Sequence, residues 1–353
     1  MQALTRIVCL VLALAGGAAQ AGDNMQANIV ILATGGTIAG RGDSGTRASY
    51  NAAALAVDAL IEAVPQLAEL AAISGEQVAS VGSQDMSDAI WLTLAARVNT
   101  LLAEEGVDGV VITHGTDTIE ETAYFLSLVV HSKKPVVLTA AMRPATALSA
   151  DGPLNIYNAV AVAADPQAAG RGVLVVINDD IHGARGMTKS STTDVQTFIS
   201  PERGLIGTSL YGENRYFRYP YKRHTADSEF SVDGLQALPR VDVLYLHAGA
   251  SPDLVDALVA AGARGIVLAG VGNGNMNRET QAAVARAVKA GVAVVRSTRV
   301  TRGFVGRNVE TDDDTLGTVA AGELKPPQAR VLLKLALLEK RDPASIQALF
   351  DQY

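Results

Sequence analysis

Two glycine-containing turns mark where this chain could do chemistry. Thr34-Gly35-Gly36-Thr37 and Thr113-His114-Gly115-Thr116-Asp117 each place a Thr hydroxyl and bare backbone N–H groups at the end of an apolar run. A hydroxyl beside a general base becomes a nucleophile, and amide N–H groups stabilise the oxyanion formed when it attacks a carbonyl. Small residues at strand ends also serve simply to turn the chain, and either segment alone reads better that way. Two such turns in one unit shift the balance. Lys189 sits in a Thr/Ser-rich stretch and is by default a surface lysine. Buried next to a hydroxyl, its pKa could fall enough for it to act as a base.

Other motifs fail on inspection. Gly183 to Ser190 (GARGMTKS) lacks the glycine a phosphate loop needs just before Lys189. Gly270 to Asn275 follows a strand and precedes a helix, but its sixth residue is Asn where a dinucleotide fingerprint wants Gly or Ala. His114, His131, His182, His224 and His247 are scattered without metal-ligand spacing, and neither H-E-x-x-H nor G-x-S-x-G occurs. Asp312-Asp313-Asp314 reads as an exposed acidic turn rather than a cation site.

The elements that must position these residues alternate. Asn28 to Thr34, Val107 to Thr113, Pro135 to Ala140 and Gly172 to Asn178 are short apolar runs read as strands. Helix-period segments separate them: Asp85 to Glu104, with Ile90, Leu94, Val98 and Leu101 on one face and Asp85 or Ser87 as N-cap, then Ile119 to Val130 and Leu154 to Ala164. Strands apolar on both faces, separated by helices, predict a mostly parallel sheet in an α/β fold. The pattern breaks over Asn214 to Arg240, which is polar, aromatic and aperiodic, with some strand expected at its start. It resumes with strands from Val241, Gly265 and Val292, helices from Pro252 and Asn277, and closing helices near Pro327–Glu339 and Pro343–Asp351. The expected domains are a larger α/β unit over 22–217, a linker over 218–240 and a smaller α/β unit over 241–353.

The chain has 353 residues, 48% hydrophobic and 18% charged, which suits a well-cored protein of about two domains. A formal charge of -7 without a basic run argues against nucleic acid or anionic membrane as partner. Arg6, the apolar stretch from Ile7 to Ala18 and Ala19-Gln20-Ala21 form a secretory signal, cleaved after Ala21 and leaving no membrane anchor. A periplasmic location follows. Cys9, the single cysteine, lies inside that segment, so the mature protein has no disulfide and no paired-cysteine zinc site.

Longer stretches carry a family resemblance. Ile31 to Gly40 (ILATGGTIAG) and Val110 to Phe125 (VVITHGTDTIEETAYF) resemble the two signature segments of bacterial L-asparaginases of the exported type II. The likeness continues through Gly82 to Met86, Ala140 to Pro144, Ser149 to Val160, MTKS, AGVGNGN and RVLLKLAL, across essentially the whole mature chain. It implies a larger N-terminal flavodoxin-like domain with a mostly parallel sheet and a smaller C-terminal α/β domain. It also implies Thr37 as primary nucleophile with Tyr50 closing over it, and Thr116, Lys189 and Asp117 as a second catalytic group. Ser83, Gln84 and Asp117 match groups that hold the substrate's α-carboxylate and α-amino ends, and the carbonyl of Ala141 matches an acceptor for the scissile amide. Asn275 and Glu310 match residues that reach a neighbouring subunit's site in a homotetramer of close dimers. No metal or organic cofactor is implied.

The implied reaction is hydrolysis of L-asparagine to L-aspartate and ammonia through a β-aspartyl ester on threonine, with weaker action on L-glutamine. Tyr216 to Phe230 lies closer to the glutaminase-asparaginase branch, whereas Gln84 and Asn275 match the asparaginase branch. A dual-specificity enzyme is therefore the alternative. An exported amino-acid-binding protein is the reading from another class, and it would need no Thr-Lys-Asp group. Whether Tyr50 or Lys189 is the operative base, and which hydroxyl attacks first, the sequence leaves open.

Overall fold

The computed structural model describes residues 26–46 and 49–353. The expected signal segment lies outside the described residues. In the first half, β1 (Asn28–Gly35), α1 (Val57–Glu62), α2 (Leu67–Leu70), β2 (Ala72–Val81), α3 (Asp88–Ala103), β3 (Gly109–Thr113), α4 (Ile119–Val129), β4 (Val136–Thr139), α5 (Gly152–Ala163) and β5 (Val173–Ile177) alternate. A run of short strands follows: β6 (Asp180–Gly183), β7 (Thr188–Lys189), β8 (Phe198–Ile199), β9 (Gly207–Leu210) and β10 (Glu213–Tyr216). Eight of these strands form one sheet in the order β10-β9-β6-β5-β4-β3-β1-β2, parallel from β2 to β5 and antiparallel beyond. The parallel part, 2-1-3-4-5, is the flavodoxin-like order, whose switch point falls between β1 and β3.

Alternation along each strand divides the core. Val30 and Leu32 face α3 and α4 on one side, and Ile29, Ile31 and Ala33 face α1, α2 and α5 on the other. This explains why β1 reads as an unbroken apolar run. Strand β2 escapes the sequence reading because it is an edge strand, half-exposed along most of its length. The antiparallel strands β6 to β10 escape it because none exceeds four residues. Helix α3 starts after Ser87, whose hydroxyl accepts from the Ile90 N–H; Leu94, Val98 and Leu101 are buried, while Ile90 is only half-buried.

The second sheet, β11-β12-β13-β14, is parallel and combines β11 (Val241–Tyr245), α6 (Asp253–Ala260), β12 (Gly265–Gly270), α7 (Arg278–Lys289), β13 (Ala293–Thr298), α8 (Asp313–Leu316), β14 (Val319–Ala320), α9 (Pro326–Ala336) and α10 (Pro343–Gln352). Helices α6 and α7 cover one face. Helix α9 covers the other and packs on α4 as well, so one apolar cluster runs from the large sheet to the small one.

The acidic run 312–314 is not the exposed turn the sequence suggests. Asp312 caps α8 through the Thr315 N–H, but Asp313 is fully buried and paired with Arg296, the largest fully buried side chain. The pair is bidentate, with Nε–Oδ1 2.7 Å and Nη2–Oδ2 2.6 Å. Burial opposes the charge on Asp313, yet bonds from Arg296, Thr318 and the Asn308 N–H outweigh it and hold the carboxyl below its ordinary value. Arg296 also donates to the carbonyls of Asn273 and Gly306, which ties together the loops that carry Asn275 and Glu310. Gly270 to Asn275, the near-fingerprint, is a tight turn closed by the Val271–Asn275 bridge, and a Cβ on Gly270 would lie 2.5 Å from Gly274 backbone. Its glycines serve that turn. Asp313→Ala leaves a guanidinium buried without its partner and should destabilise the protein by about 3–5 kcal/mol in denaturant unfolding, much of which Arg296→Met with Asp313→Leu should restore.

Candidate active site

The carboxyl ends of β2, β1, β3 and β4 form one rim, because these strands are neighbours and parallel. The β1 and β3 turns touch there. Thr34 Oγ1 donates to the Thr113 carbonyl at 2.9 Å, below the turns. Gly36 has φ +83°, and a Cβ on it would lie 2.4 Å from the Cα and N of Gly115. Glycine is required here by close approach and by backbone conformation together. Gly115 is pressed from its other side by Ser83, whose Oγ would lie 2.5 Å from a Cβ.

Thr37 follows Gly36 on a short 3₁₀ turn and is 8% exposed. Its Oγ1 lies 2.7 Å from the Tyr50 hydroxyl. Tyr50 arrives on a loop pinned at its base by the Arg41–Asn51 bridge and by Thr146, whose hydroxyl accepts from the Gly42 N–H. Thr116 is buried. Lys189 is not an exposed lysine: its Nζ donates to Thr116 Oγ1 at 2.9 Å and to Asp117 Oδ1 at 2.7 Å, and its side chain is 20% exposed. Strand β7 carries it in from the far side of β5, held by pairing with Phe198 on β8. Among the described residues, the main-chain N–H groups of Thr37 and Thr116 have no acceptor.

The remaining candidates divide into two groups. Ser83 is buried, and its Oγ accepts from the Asp117 N–H at 3.1 Å, which leaves its own proton to donate. Gln84 is exposed beside it, folded over Gly82. Ala141 is fully buried at the end of β4, where Asp151 anchors the two residues after it through the Met142 and Arg143 N–H groups. Asn275 and Glu310 stand apart, in the second domain. Asn275 Nδ2 donates to Glu310 Oε2 at 2.6 Å, and neither residue bonds to the rim among the described residues.

His114 is a supporting residue that the sequence reading passed over. Trp91 Nε1–H, a donor only, bonds to Thr122 Oγ1 at 2.9 Å. The Gly115 carbonyl can only accept, so His114 Nδ1–H donates to it at 2.7 Å, and Nε2 of the neutral ring accepts from the Thr122 hydroxyl at 2.9 Å. This chain fixes one tautomer and holds the turn before Thr116. Burial lowers the His114 pKa to about 4 despite the opposing Gly115 bond, so the ring is neutral. In sequence, the only signal was the lone Trp placed to meet the turn helix.

Comparison with known proteins gives the family. Residues 28–222 match the family model for the asparaginase N-terminal domain, and residues 240–350 match that for the glutaminase/asparaginase C-terminal domain. The chain is 53% identical to L-asparaginase 2 of Escherichia coli over 92% of its length and 93% of that protein's. It is 48% identical to the glutaminase-asparaginase of Acinetobacter glutaminasificans, over 92% and 99% of the respective lengths. A solved probable cytoplasmic L-asparaginase from Campylobacter jejuni superposes with TM-score 0.90 at 47% identity, covering 93% of this chain and 100% of that one.

The buried imidazoles set a pH dependence of stability. Burial also lowers His182 to about 4, while it raises Glu120 to about 7. Between the ordinary histidine pKa of 6.5 and about 4, the unfolded chain takes up two protons that folded His114 and His182 refuse, so stability falls as pH drops through this window. Glu120 has the opposite sign: folded, it keeps a proton that the unfolded chain loses above 4.5, and its contribution disappears as pH rises through about 7. These three groups together leave a net of one proton, which contributes a slope of about 1.4 kcal/mol per pH unit from 6.5 down to 4.5. Unfolding midpoints across this range should show it, and His182→Gln should flatten it.

Proposed function

The chain belongs to the asparaginase family, and we propose that it hydrolyses the side-chain amide of L-asparagine to L-aspartate and ammonia, acting more weakly on L-glutamine. The observation that carries this reading is the meeting, at one rim, of the Thr37–Tyr50 pair with the Thr116–Lys189–Asp117 triangle. Thr37 Oγ1 attacks the amide carbon. Its proton passes to Tyr50 as the phenolic proton moves on to the leaving nitrogen, so ammonia departs and an ester remains on Thr37. The N–H groups of Thr37 and Thr116 stabilise the oxyanion. Water then attacks the ester. Because Lys189 donates to Thr116 Oγ1, the Thr116 proton is directed away from the lysine toward the reacting groups. An amino-acid-binding protein would have no use for this triangle.

Ser83, Gln84 and Asp117 bind the two charged ends of the amino acid, and the Ala141 carbonyl accepts from the scissile amide. Asparagine and glutamine differ by one methylene, a difference that pockets convert into about 1–3 kcal/mol, so glutamine turns over as the poorer substrate. Asn275 and Glu310 complete the site of a neighbouring subunit in a homotetramer of close dimers. Their mutual pairing, away from the rim of their own chain, supports this. The N-terminal segment exports the protein to the periplasm, in keeping with a 52% identical Haemophilus influenzae protein described as a probable periplasmic L-asparaginase.

Thr37→Ala should keep the fold and lose roughly a thousandfold or more in turnover, as expected for loss of a nucleophile. Intact-mass measurement after rapid quench should find the aspartyl ester in the wild type and none in Thr37→Ala. An ester that persists on Thr116 in that variant would reverse the assignment. Mixing inactive Thr37→Ala and Glu310→Ala subunits should restore part of the activity, because hybrid dimers contain one intact site. No recovery after proven subunit exchange would place each site within one chain.

A further inference from the structure

The ribbon that delivers Lys189 is held by the other domain. Strands β7 and β8 pair over two residues each and join neither large sheet. A two-stranded pairing is marginal by itself even at greater length, so the placement of Lys189 depends on what grips the two legs of the ribbon. Arg185 lies on the leg that enters β7, and Arg203 on the leg that leaves β8. Both close on one carboxylate, that of Glu323, in the loop between β14 and α9 of the second domain. Arg185 Nη1 donates to Oε2 at 2.8 Å, while Arg203 donates from Nε to Oε2 at 2.9 Å and from Nη2 to Oε1 at 2.5 Å. Further ties from the same domain fall on the same legs. Gln328 Nε2 donates to the Met187 carbonyl at 3.0 Å, the Gly303 N–H to Glu202 Oε1 at 2.6 Å, and Arg302 to the Pro201 carbonyl at 3.2 Å. The ribbon's own domain holds its tip, through Asn178 and the Val195 carbonyl, and Ser200, through His182.

We propose that Glu323 is a positioning residue: by drawing Arg185 and Arg203 onto one carboxylate it closes the legs of the ribbon and sets Lys189 Nζ against Thr116 and Asp117. The proposal rests on the role given to Lys189 above. Burial opposes the charge on Glu323, yet the bonds from Arg203 and Arg185 outweigh it and hold the carboxyl below its ordinary value. The two guanidiniums need that charge. Arg185 and Arg203 line one cleft together with Arg171, Arg218, Lys222 and Arg223, and no acidic side chain lines it. Glu323 is the ion-pair partner of both among the described residues. Without its charge, two partly buried cations on opposite legs face each other among like charges, and the legs separate. Lys189 reaches Thr116 Oγ1 at 2.9 Å, and a displacement of about 1 Å at a catalytic group is enough to cost up to a hundredfold in rate.

Two measurements on the intact enzyme test this. Glu323→Gln, assayed well below its unfolding midpoint, should lose roughly tenfold in kcat with KM within about twofold of wild type. A second domain merely loosened from the first would displace Asn275 and Glu310 as well, and the loss would then fall on KM. Arg203→Lys, which keeps the charge but not the two-pronged fork, should lose about threefold in kcat, and it carries both tests if Glu323→Gln does not fold. Lys334→Met breaks another ion pair between the domains, with Asp88, away from the ribbon, and should keep wild-type kcat. In a crystal structure of Glu323→Gln, Lys189 Nζ should lie farther than about 3.5 Å from Thr116 Oγ1. Wild-type kcat in both ribbon variants, a loss confined to KM, an equal loss in Lys334→Met, or an unmoved Lys189 would each overturn the proposal. The crystallographic distance does not depend on turnover. Full activity in Lys189→Met would instead overturn the catalytic reading, and the distance would still report whether Glu323 sets the lysine.

Discussion

The close approach of Gly36 and Gly115 is the constraint on which the site depends. Two parallel neighbours, β1 and β3, end at the same level, and their turns can touch only because neither carries a Cβ. The contact converts two separate threonines into one site: Thr37 leaves the first turn and Thr116 the second. Ser83, entering from the end of β2, also presses on Gly115 and accepts from the Asp117 N–H. A methyl group on Gly36 would strike the Gly115 backbone, and one on Gly115 would strike Ser83 and crowd Gly36.

Precision at such a contact comes from the layers behind it. The chain from Trp91 through Thr122 and His114 to the Gly115 carbonyl has a single consistent direction, since indole can only donate at one end and a carbonyl can only accept at the other. It runs entirely through buried groups, where hydrogen bonds are strong and unpaired alternatives costly. The ring of Trp91 stacks on Phe125 at 5.1 Å, so the polar chain is itself seated in the apolar core. On the other flank, Lys189 reaches Thr116 from a two-stranded ribbon that belongs to neither large sheet. Such a short ribbon needs outside support, and Gln328 of α9 supplies some by donating to the Met187 carbonyl just before it.

The smaller domain uses a different device for a similar purpose. Arg296 and Asp313 bury a full ion pair with further bonds to both partners, at the carboxyl end of the second sheet. A buried pair of this kind contributes little net stability, but breaking it is expensive, and it therefore fixes geometry. What it fixes are the two loops that present Asn275 and Glu310.

Local pattern alone determined much of this protein. Short apolar runs located β1, β3, β4, β5, β11, β12 and β13, because a central parallel strand buries both faces and leaves no room for polar residues, while the two-residue β14 went unseen. Helical periodicity and caps located α3, α4, α5 and α7. The same pattern located the Gly-Thr turns at strand ends, and quoted segments gave the family. Edge strand β2 and the short antiparallel strands stayed hidden, since their stability comes from partners distant in sequence rather than from their own composition. The resemblance implied that Lys189 joins Thr116 and Asp117, more than seventy residues away, but its hydrogen bonds and its burial between them came from the tertiary structure alone. It alone decided that Asp313 is a buried partner of Arg296. Charge and polarity are visible in a sequence. Whether a charged group is solvated, paired or stranded depends on what the fold places against it, and no local pattern carries that information.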